Sequence, residues 1–166
     1  MESFVEAIGR LRSAGWSFEP GSQQASTPAA LESVPSSQVA WASAFSQLSS
    51  PDETTWFLAL GDYVEPSDDA FAWNEFENMS RDAAMSAEDE AAVTAFWNRH
   101  CPILLSVRDG YSYLAIRDDG AIVHGVEPEF EITADVAPDL AALLSTISDP
   151  PTPGIGLVET LLFGRA

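Results

Sequence analysis

The sequence predicts a mixed fold in which helices accompany an antiparallel sheet. Apolar residues recur at helical spacing in several segments, and three β-rich runs in the second half of the chain are joined by two Asp-Gly turns. A short apolar helix follows these runs. The chain has 166 residues, of which 46% are hydrophobic, so it can bury a sizeable core in one domain, or in one domain with a tail.

Three helices are predicted in the first third of the chain, with a polar loop over 16–27 between the first and the second. Their predicted ranges are 2–14, about 28–33 and about 38–48. The first and the third carry apolar residues at helical spacing, and Thr27-Pro28 is typical of the start of the second. Gly15 and Pro35 are expected to end the first and the second helix.

The middle third begins with a predicted strand and continues with two predicted helices. The run 55–60 is apolar almost throughout, which indicates a strand buried on both faces. A helical stretch follows and ends at about Met85. Ser86 and Asp89 have the spacing of a capping box, so the next helix is predicted over 87–99.

The strongest local signal is a pair of hairpins. Its β-rich runs are 103–108, 111–117 and 121–126. If the first turn has two residues, Leu105 lies opposite Leu114 and Ile103 opposite Ile116, as in a half-buried antiparallel sheet. Val107 and Ser112 complete that face, and the other face would hold Leu104, Ser106, Arg108, Tyr111, Tyr113, Ala115 and Arg117. The second turn has two or three residues, which leaves the face of His124 open.

The last quarter of the chain predicts an edge segment, a helix and a tail. Residues 127–132 are expected to form an edge strand or an extended segment, because a proline there disfavours a central strand. Residues 137–147 are predicted to be helical, and 149–156 form a linker rich in proline and glycine. The last ten residues are apolar enough to dock as a helix or a strand, or to form a mobile tail.

The charge balance favours cationic partners. The chain has 26 acidic residues against seven basic ones, all of them Arg, and a net charge of −19. This charge repels phosphate backbones and anionic lipid, so neither a nucleic acid nor a membrane is expected as a partner. The middle segment, 51–100, is the most acidic part. Its acidity indicates either a docking face for a basic partner or a solvated surface, as in a salt-adapted organism.

The composition excludes several kinds of active site. The chain has no Lys, one Cys and two His, which excludes Walker-type phosphate loops, Schiff-base chemistry and a Cys/His zinc cage. Cys101 follows His100 but has no third partner at a recognisable spacing, so a buried or half-buried thiol at a helix end is expected. The Asp-rich turns do not match a calcium loop. The sequence therefore predicts no catalytic residue, no cofactor and no metal ligand.

The ends and the hydropathy of the chain favour a cytoplasmic protein. The N-terminus carries an acidic residue at position 2 and no long apolar run, so no signal peptide is predicted. No stretch approaches the roughly 18 apolar residues of a membrane span.

The order of the segments resembles the SUKH superfamily, which groups bacterial immunity proteins of polymorphic toxin systems with the yeast cell-wall-synthesis regulator and the SecY-interacting protein Syd. The resemblance covers about residues 27–148, through PAALESVPSSQVAWASAF, TWFLAL, FAWNEFENMS, FWNRHCPILLSVRDGYSYLAIRDDGAIVHGVEPEFE and VAPDLAALLSTI. Family members carry a G-Y/D-x-Y/F-x-x-I pattern and an E-P-E-like stretch. The matching residues are Gly110, Tyr111, Tyr113, Ile116, Glu127, Pro128 and Glu129.

The resemblance implies an α+β fold, with a twisted, mainly antiparallel sheet flanked by helices. It divides the chain into an N-terminal helix and loop over 1–26, a SUKH-like domain over 27–148, and a linker with a C-terminal tail over 149–166. It also implies a protein that binds and neutralises a cognate toxin domain, often a nuclease, without catalysis. The binding face of the family varies with the toxin, so the resemblance assigns no contact residue.

The leading hypothesis is an immunity protein that occludes the active cleft of a basic toxin, with acidic side chains imitating substrate phosphates if that toxin is a nuclease. The predicted contacts are acidic and aromatic side chains: Glu65, Asp68, Asp69, Trp73, Glu75, Glu77 and Tyr111. The alternative is a housekeeping scaffold or regulator on the same fold, whose acidity serves solubility. A small hydrolase would need a nucleophile or a carboxylate pair that the sequence does not single out. The oligomeric state is left open.

Overall fold

The computed structural model describes residues 2–22, 26–64, 71–150 and 156–164, which form six helices and seven strands. The helices are α1 (Glu2–Ser13), α2 (Ser36–Ser43), α3 (Glu75–Ala83), α4 (Ala87–Arg99), α5 (Leu140–Ser148) and α6 (Leu157–Phe163). The strands are β1 (Ser17–Pro20), β2 (Phe45–Ser49), β3 (Thr55–Phe57), β4 (His100–Ser106), β5 (Ser112–Arg117), β6 (Ile122–Val126) and β7 (Thr133–Ala137). Two 3₁₀ turns cover Ala29–Leu31 and Leu60–Tyr63.

The seven strands form one antiparallel sheet whose spatial order follows the chain from β1 to β7. Each strand therefore pairs with its neighbour in sequence, as short connections favour. The sheet is twisted and helices flank it, so the fold is α+β, as the sequence predicts.

A hydrophobic core lies on each face of the sheet. The first core packs α1, α2, α5 and α6 against one face, and it includes Leu11, Trp41, Leu114, Ile122, Leu143 and Leu162. The second core packs α3 and α4 against the other face, and it includes Leu58, Phe76, Trp97, Leu105, Tyr113 and Val123. The predicted half-buried sheet is therefore wrong, because helices cover both of its faces.

The β4–β5 hairpin differs in register from the prediction. The observed pairs include Ser106–Ser112, Leu105–Tyr113, Leu104–Leu114 and Cys101–Ile116. Leu105 therefore does not lie opposite Leu114, and Ile103 does not lie opposite Ile116.

Two local features accompany this shift. The last pair of the ladder is Ser106–Ser112, so the connection over 107–111 is longer than the predicted two-residue turn, and within it the Val107 N–H donates to the carbonyl of Thr54 (2.7 Å), beside β3. In addition, the register shifts between Pro102 and Leu104, which is the geometry of a β-bulge. The bulge lets the consecutive residues Ile103 and Leu104 both enter the first core.

The second turn of the hairpins has three residues. The Arg117 N–H donates to the Ala121 carbonyl (2.8 Å), and Gly120 within the turn has φ +91°. A glycine with positive φ at this position is typical of three-residue hairpin loops. His124 consequently lies opposite Leu114, on the side of the first core, and is half-buried.

The N-terminal prediction is correct for α1 but wrong for the following segments. The predicted loop 16–27 contains β1, and the predicted helix 38–48 ends early and continues as β2. Phe45 and Leu48 fit helical spacing, but the chain places them on β2, where Phe18 pairs with Leu48. Pairing between distant segments therefore overrides the local pattern here.

The later helices agree better with the prediction. α4 covers the predicted range, and the Ser86 hydroxyl accepts the Asp89 N–H (3.1 Å), which is one of the two bonds of a capping box. The Asp89 carboxylate accepts the Met85 N–H (3.3 Å) instead of the Ser86 N–H. The predicted strand over 55–60 is shorter, since β3 ends at Phe57. The helix predicted to reach Met85 is α3, which ends at Ala83.

The C-terminal elements are shifted along the chain. Residues 127–132 form turns, so the predicted edge strand there is wrong, and β7 is the edge strand instead. α5 begins after Asp139, whose carboxylate accepts the Ala142 N–H (2.8 Å). The last described part of the chain forms α6, and this helix packs on the first core, where Leu162 is fully buried. α1 and α6 thus pack into the same core as the predicted domain 27–148.

Candidate protein-binding face

Four aromatic side chains from three segments of the chain meet beside the second core. This aromatic patch consists of Trp56 of β3, Phe71 before α3, Phe76 of α3 and Tyr111 before β5. Phe71 is at its centre, with ring centroids 5.6 Å from Trp56, 5.7 Å from Phe76 and 6.0 Å from Tyr111. Edge-to-face pairs of this kind hold aromatic rings in fixed relative positions.

The patch reaches the protein surface. Phe71 is 39% exposed, and Trp56 and Tyr111 are half-buried, whereas Phe76 is buried. Phe76 stacks on Phe130 (4.6 Å), which anchors the patch to the core. Large aromatic side chains that are rigid and partly exposed are the usual anchors of protein interfaces.

Tyr111 is held by the turn before it and by Glu127, the residue after β6. Asp109 (φ +57°) and Gly110 (φ +100°) turn the chain in the left-handed region. The Tyr111 N–H then donates to the Glu127 carboxylate (3.2 Å), and the Glu127 N–H donates to the Tyr111 carbonyl (2.9 Å). These two bonds place a carboxylate directly beside the aromatic patch.

The core beneath the patch depends on a glycine. The Tyr113 hydroxyl donates to the Phe130 carbonyl, and its ring lies across Gly125 of β6. A Cβ atom at position 125 would overlap this ring. Gly125 therefore lets Tyr113 fix the 127–132 turn, which carries Phe130 against Phe76.

The structure brings together only some of the predicted contact residues. Glu65, Asp68 and Asp69 lie outside the described residues. Tyr111 belongs to the aromatic patch, whereas Trp73 packs on Tyr63 (5.5 Å). Phe71 and Trp56 are patch members that the prediction did not name as contacts, because only the fold brings their distant segments beside Tyr111.

The two predicted glutamates of α3 differ in their surroundings. Glu77 accepts two hydrogen bonds from the Arg81 guanidinium (3.1 and 2.9 Å), and Arg81 also donates to Thr94 (2.6 Å). Glu75 is half-buried in the first turn of α3, and no described arginine pairs with it. Glu75 is thus the more available carboxylate for a cationic partner.

Each of the described arginines contacts another side chain of the same molecule. Five of the six form ion pairs: Arg10–Glu159, Arg81–Glu77, Arg99–Asp118, Arg108–Asp52, and Arg117 with Asp119 and Asp135. The sixth, Arg12, lies over the Phe18 ring (5.4 Å). The acidic side chains of α3 and α4 that no described arginine neutralises are Glu75, Asp82, Glu88, Asp89 and Glu90.

Cys101 is unsuited to nucleophilic chemistry. It is half-buried in β4, just after α4, as predicted. Burial raises the pKa of its thiol to about 12, so the thiolate is scarce at neutral pH. The neighbouring His100 ring stacks on Phe96 (3.8 Å), and its Nδ1 atom contacts the Phe96 carbonyl (2.7 Å). Burial also lowers the pKa of His100.

The described residues form neither a metal-binding cluster nor a membrane-spanning helix. No three His, Cys, Asp or Glu side chains in these ranges converge as ligands of a metal ion. None of the described helices combines the length and the apolar character that crossing a membrane requires.

Comparison of the chain with protein families, with curated proteins and with solved structures gives no significant match. The assignment to the SUKH superfamily therefore stays a prediction from the order of sequence segments.

Proposed function

We propose that this protein is a non-catalytic binding module of the SUKH type, an immunity protein that neutralises a basic bacterial toxin domain by occluding its active cleft. The observation that carries the proposal is the partly exposed aromatic patch beside carboxylates without a described counter-charge. Aromatic anchors with an acidic surround suit a partner that presents arginine and lysine around an apolar centre.

The charge supports a partner that is itself basic. The net charge of −19 accelerates the approach of a cationic protein. Apart from Glu77, which pairs with Arg81, the acidic side chains of α3 and α4 have no described arginine as a counter-charge and can attract such a protein. If the toxin is a nuclease, these carboxylates occupy the place of substrate phosphates. The α+β fold agrees with the architecture that the resemblance implies.

The first experiment is affinity capture from the native organism, with washes at low and then high salt and identification of the bound proteins by mass spectrometry. We expect one stoichiometric basic toxin domain, and we expect high salt to weaken its binding, since salt screens exposed charges. Recovery of several housekeeping proteins would favour a scaffold or regulator instead.

Variants then locate the interface on the captured partner. We expect Phe71→Ala to weaken binding about 30-fold, as is usual for a central aromatic anchor. Val5→Ala is the matched control, because Val5 is 72% exposed on α1, away from the patch. Equal affinity of the Phe71→Ala and Val5→Ala variants would contradict the proposed face.

Charge reversal tests the electrostatic part of the proposal. Changing Asp68, Asp69, Glu75 and Glu77 together to Arg is expected to abolish binding at physiological salt. The control reverses four exposed acidic residues of the N-terminal third, and so makes the same change in net charge: Glu2, Glu6, Glu19 and Glu32. The proposal fails if both quadruple variants bind the partner equally well.

A further inference from the structure

A second feature of the same face is a cleft between α3, α4 and the 127–132 turn. Its volume is about 350 Å³, and its lining residues are Ser80, Ala83, Ala84, Asp89, Ala92, Val93, Pro128 and Glu131. The small apolar side chains leave room for one long side chain from another molecule. Two carboxylates, of Asp89 and Glu131, are the only charged groups among the lining residues.

Exposed apolar side chains follow the cleft residues in the chain. Met85, next to Ala84, is 92% exposed, and Ile132, next to Glu131, is 69% exposed. They are two of the three most exposed large apolar side chains among the described residues. Exposed apolar groups concentrated beside a cleft are typical of a protein-binding surface.

The two carboxylates are held in fixed orientations. One oxygen of Glu131 accepts hydrogen bonds from the Ser80 hydroxyl (2.8 Å) and the Trp97 indole N–H (3.2 Å). One oxygen of Asp89 accepts the Met85 N–H (3.3 Å). No described residue donates to the second oxygen of either carboxylate.

We propose that this cleft is a subsite for an arginine side chain of the protein partner, an inference that rests on the proposed function. The apolar stem of arginine would lie against Ala83, Ala92 and Pro128, and its guanidinium would donate to the free oxygens of Glu131 and Asp89. Arginine suits the cleft better than lysine, because its planar guanidinium has five donors and is more weakly hydrated. An apolar residue beside that arginine would pack on Met85 or Ile132.

The probe for this inference is the capped peptide acetyl-Leu-Arg-Leu-amide. Its binding to the full chain is followed through the indole N–H resonance of Trp97, which a Trp97→Phe variant identifies. We expect saturable shifts of this resonance, and at least about tenfold weaker binding of the peptide with citrulline in place of arginine, since citrulline lacks the charge.

Ala92→Leu fills the cleft without removing any buried group, because Ala92 is exposed on α4. We expect this variant to lose peptide binding. Ala91→Leu is its matched control, since Ala91 is also exposed on α4 but does not line the cleft. Glu131→Gln is expected to weaken binding about tenfold, whereas Glu19→Gln, which removes an exposed charge on β1, should have no effect.

Several results would overturn the inference. Shifts that do not saturate, or equal binding by the Ala92→Leu and Ala91→Leu variants, would show attraction to the acidic surface without a defined subsite. If Phe71→Ala weakens binding of the captured toxin as expected while Ala92→Leu retains native affinity, the subsite is absent although the proposed function stands. If no basic partner exists, the proposed function fails, and with it the role of the cleft in partner binding.

Discussion

Replacing Leu162 by alanine tests whether α6 belongs to the folded core. Leu162 is fully buried in the first core, and α6 has only seven residues, too few to be helical in isolation. Loss of three carbon atoms costs about 2 kcal/mol at roughly 0.8 kcal/mol per group, and the cavity raises the total to about 3 kcal/mol. We therefore expect the free energy of unfolding to fall by about 3 kcal/mol and Tm by about 9 °C.

The matched control is Leu157→Ala in the same helix. Leu157 is 41% exposed, so its truncation removes much less buried surface and is expected to cost about 1 kcal/mol or less. Urea titration followed by tryptophan fluorescence measures both losses, and hydrogen exchange over 157–163 reports whether α6 undocks. The Trp16 indole donates to the backbone carbonyl of residue 162 (3.2 Å), a bond that the substitution leaves intact. Equal losses for the two variants would refute the reasoning.

Two further predictions concern β4 and β6. Gly125→Ala is expected to lower the free energy of unfolding by about 3 kcal/mol, measured by urea titration, because the new Cβ would overlap the Tyr113 ring. A strained rotamer alone costs about 1 kcal/mol, so a smaller loss than this would contradict that packing. Cys101 is expected to react with a thiol reagent at pH 8 far more slowly in the native protein than in urea, because a pKa of about 12 leaves roughly one thiol in 10,000 ionised. The stability linked to this thiol is fully present below its ordinary pKa of 9.0 and is lost as the pH rises from there to about 12, because the unfolded chain ionises first. Native reactivity equal to that of the unfolded chain would show an exposed thiol.

The sequence predicts those elements whose signals are local. α4 is found where its cap and its charge pattern place it, since the Ser86 hydroxyl and the Asp89 N–H are close together in any such helix. The three strands of the hairpins are likewise found near their predicted ranges, because Asp-Gly turns act over a few residues. Elements determined by distant partners were not predictable in this way. β1 and β2 form because their backbones pair with each other, and neither segment has a strong strand pattern of its own.

The candidate site was likewise predictable only where its signals are local. Tyr111 could be named from the sequence, because it directly follows the Asp109-Gly110 turn and turns lie at the protein surface. Phe71 and Trp56 reach it only through the packing of α3 and β3 on the second core. The cleft was not predictable for a similar reason. Its Glu131 lies in a segment whose pattern predicts a strand, whereas the chain forms turns there and brings the carboxylate to Ser80 and Trp97.

The arginines on the two faces of the sheet have different kinds of partner, and this difference indicates where another protein binds. On the first face, Arg10 donates to the Ile147 carbonyl and to Glu159, and Arg108 donates to the Leu161 carbonyl, so both cations hold α6 in place. On the second face, Arg81 and Arg99 are bound to Glu77 and Asp118, and the other acidic side chains of α3 and α4 have no described counter-charge. A molecule that neutralises those side chains must therefore supply its own cations. The aromatic patch and the cleft both lie beside α3, so a basic protein that contacts them gains charge complementarity and buried apolar area together.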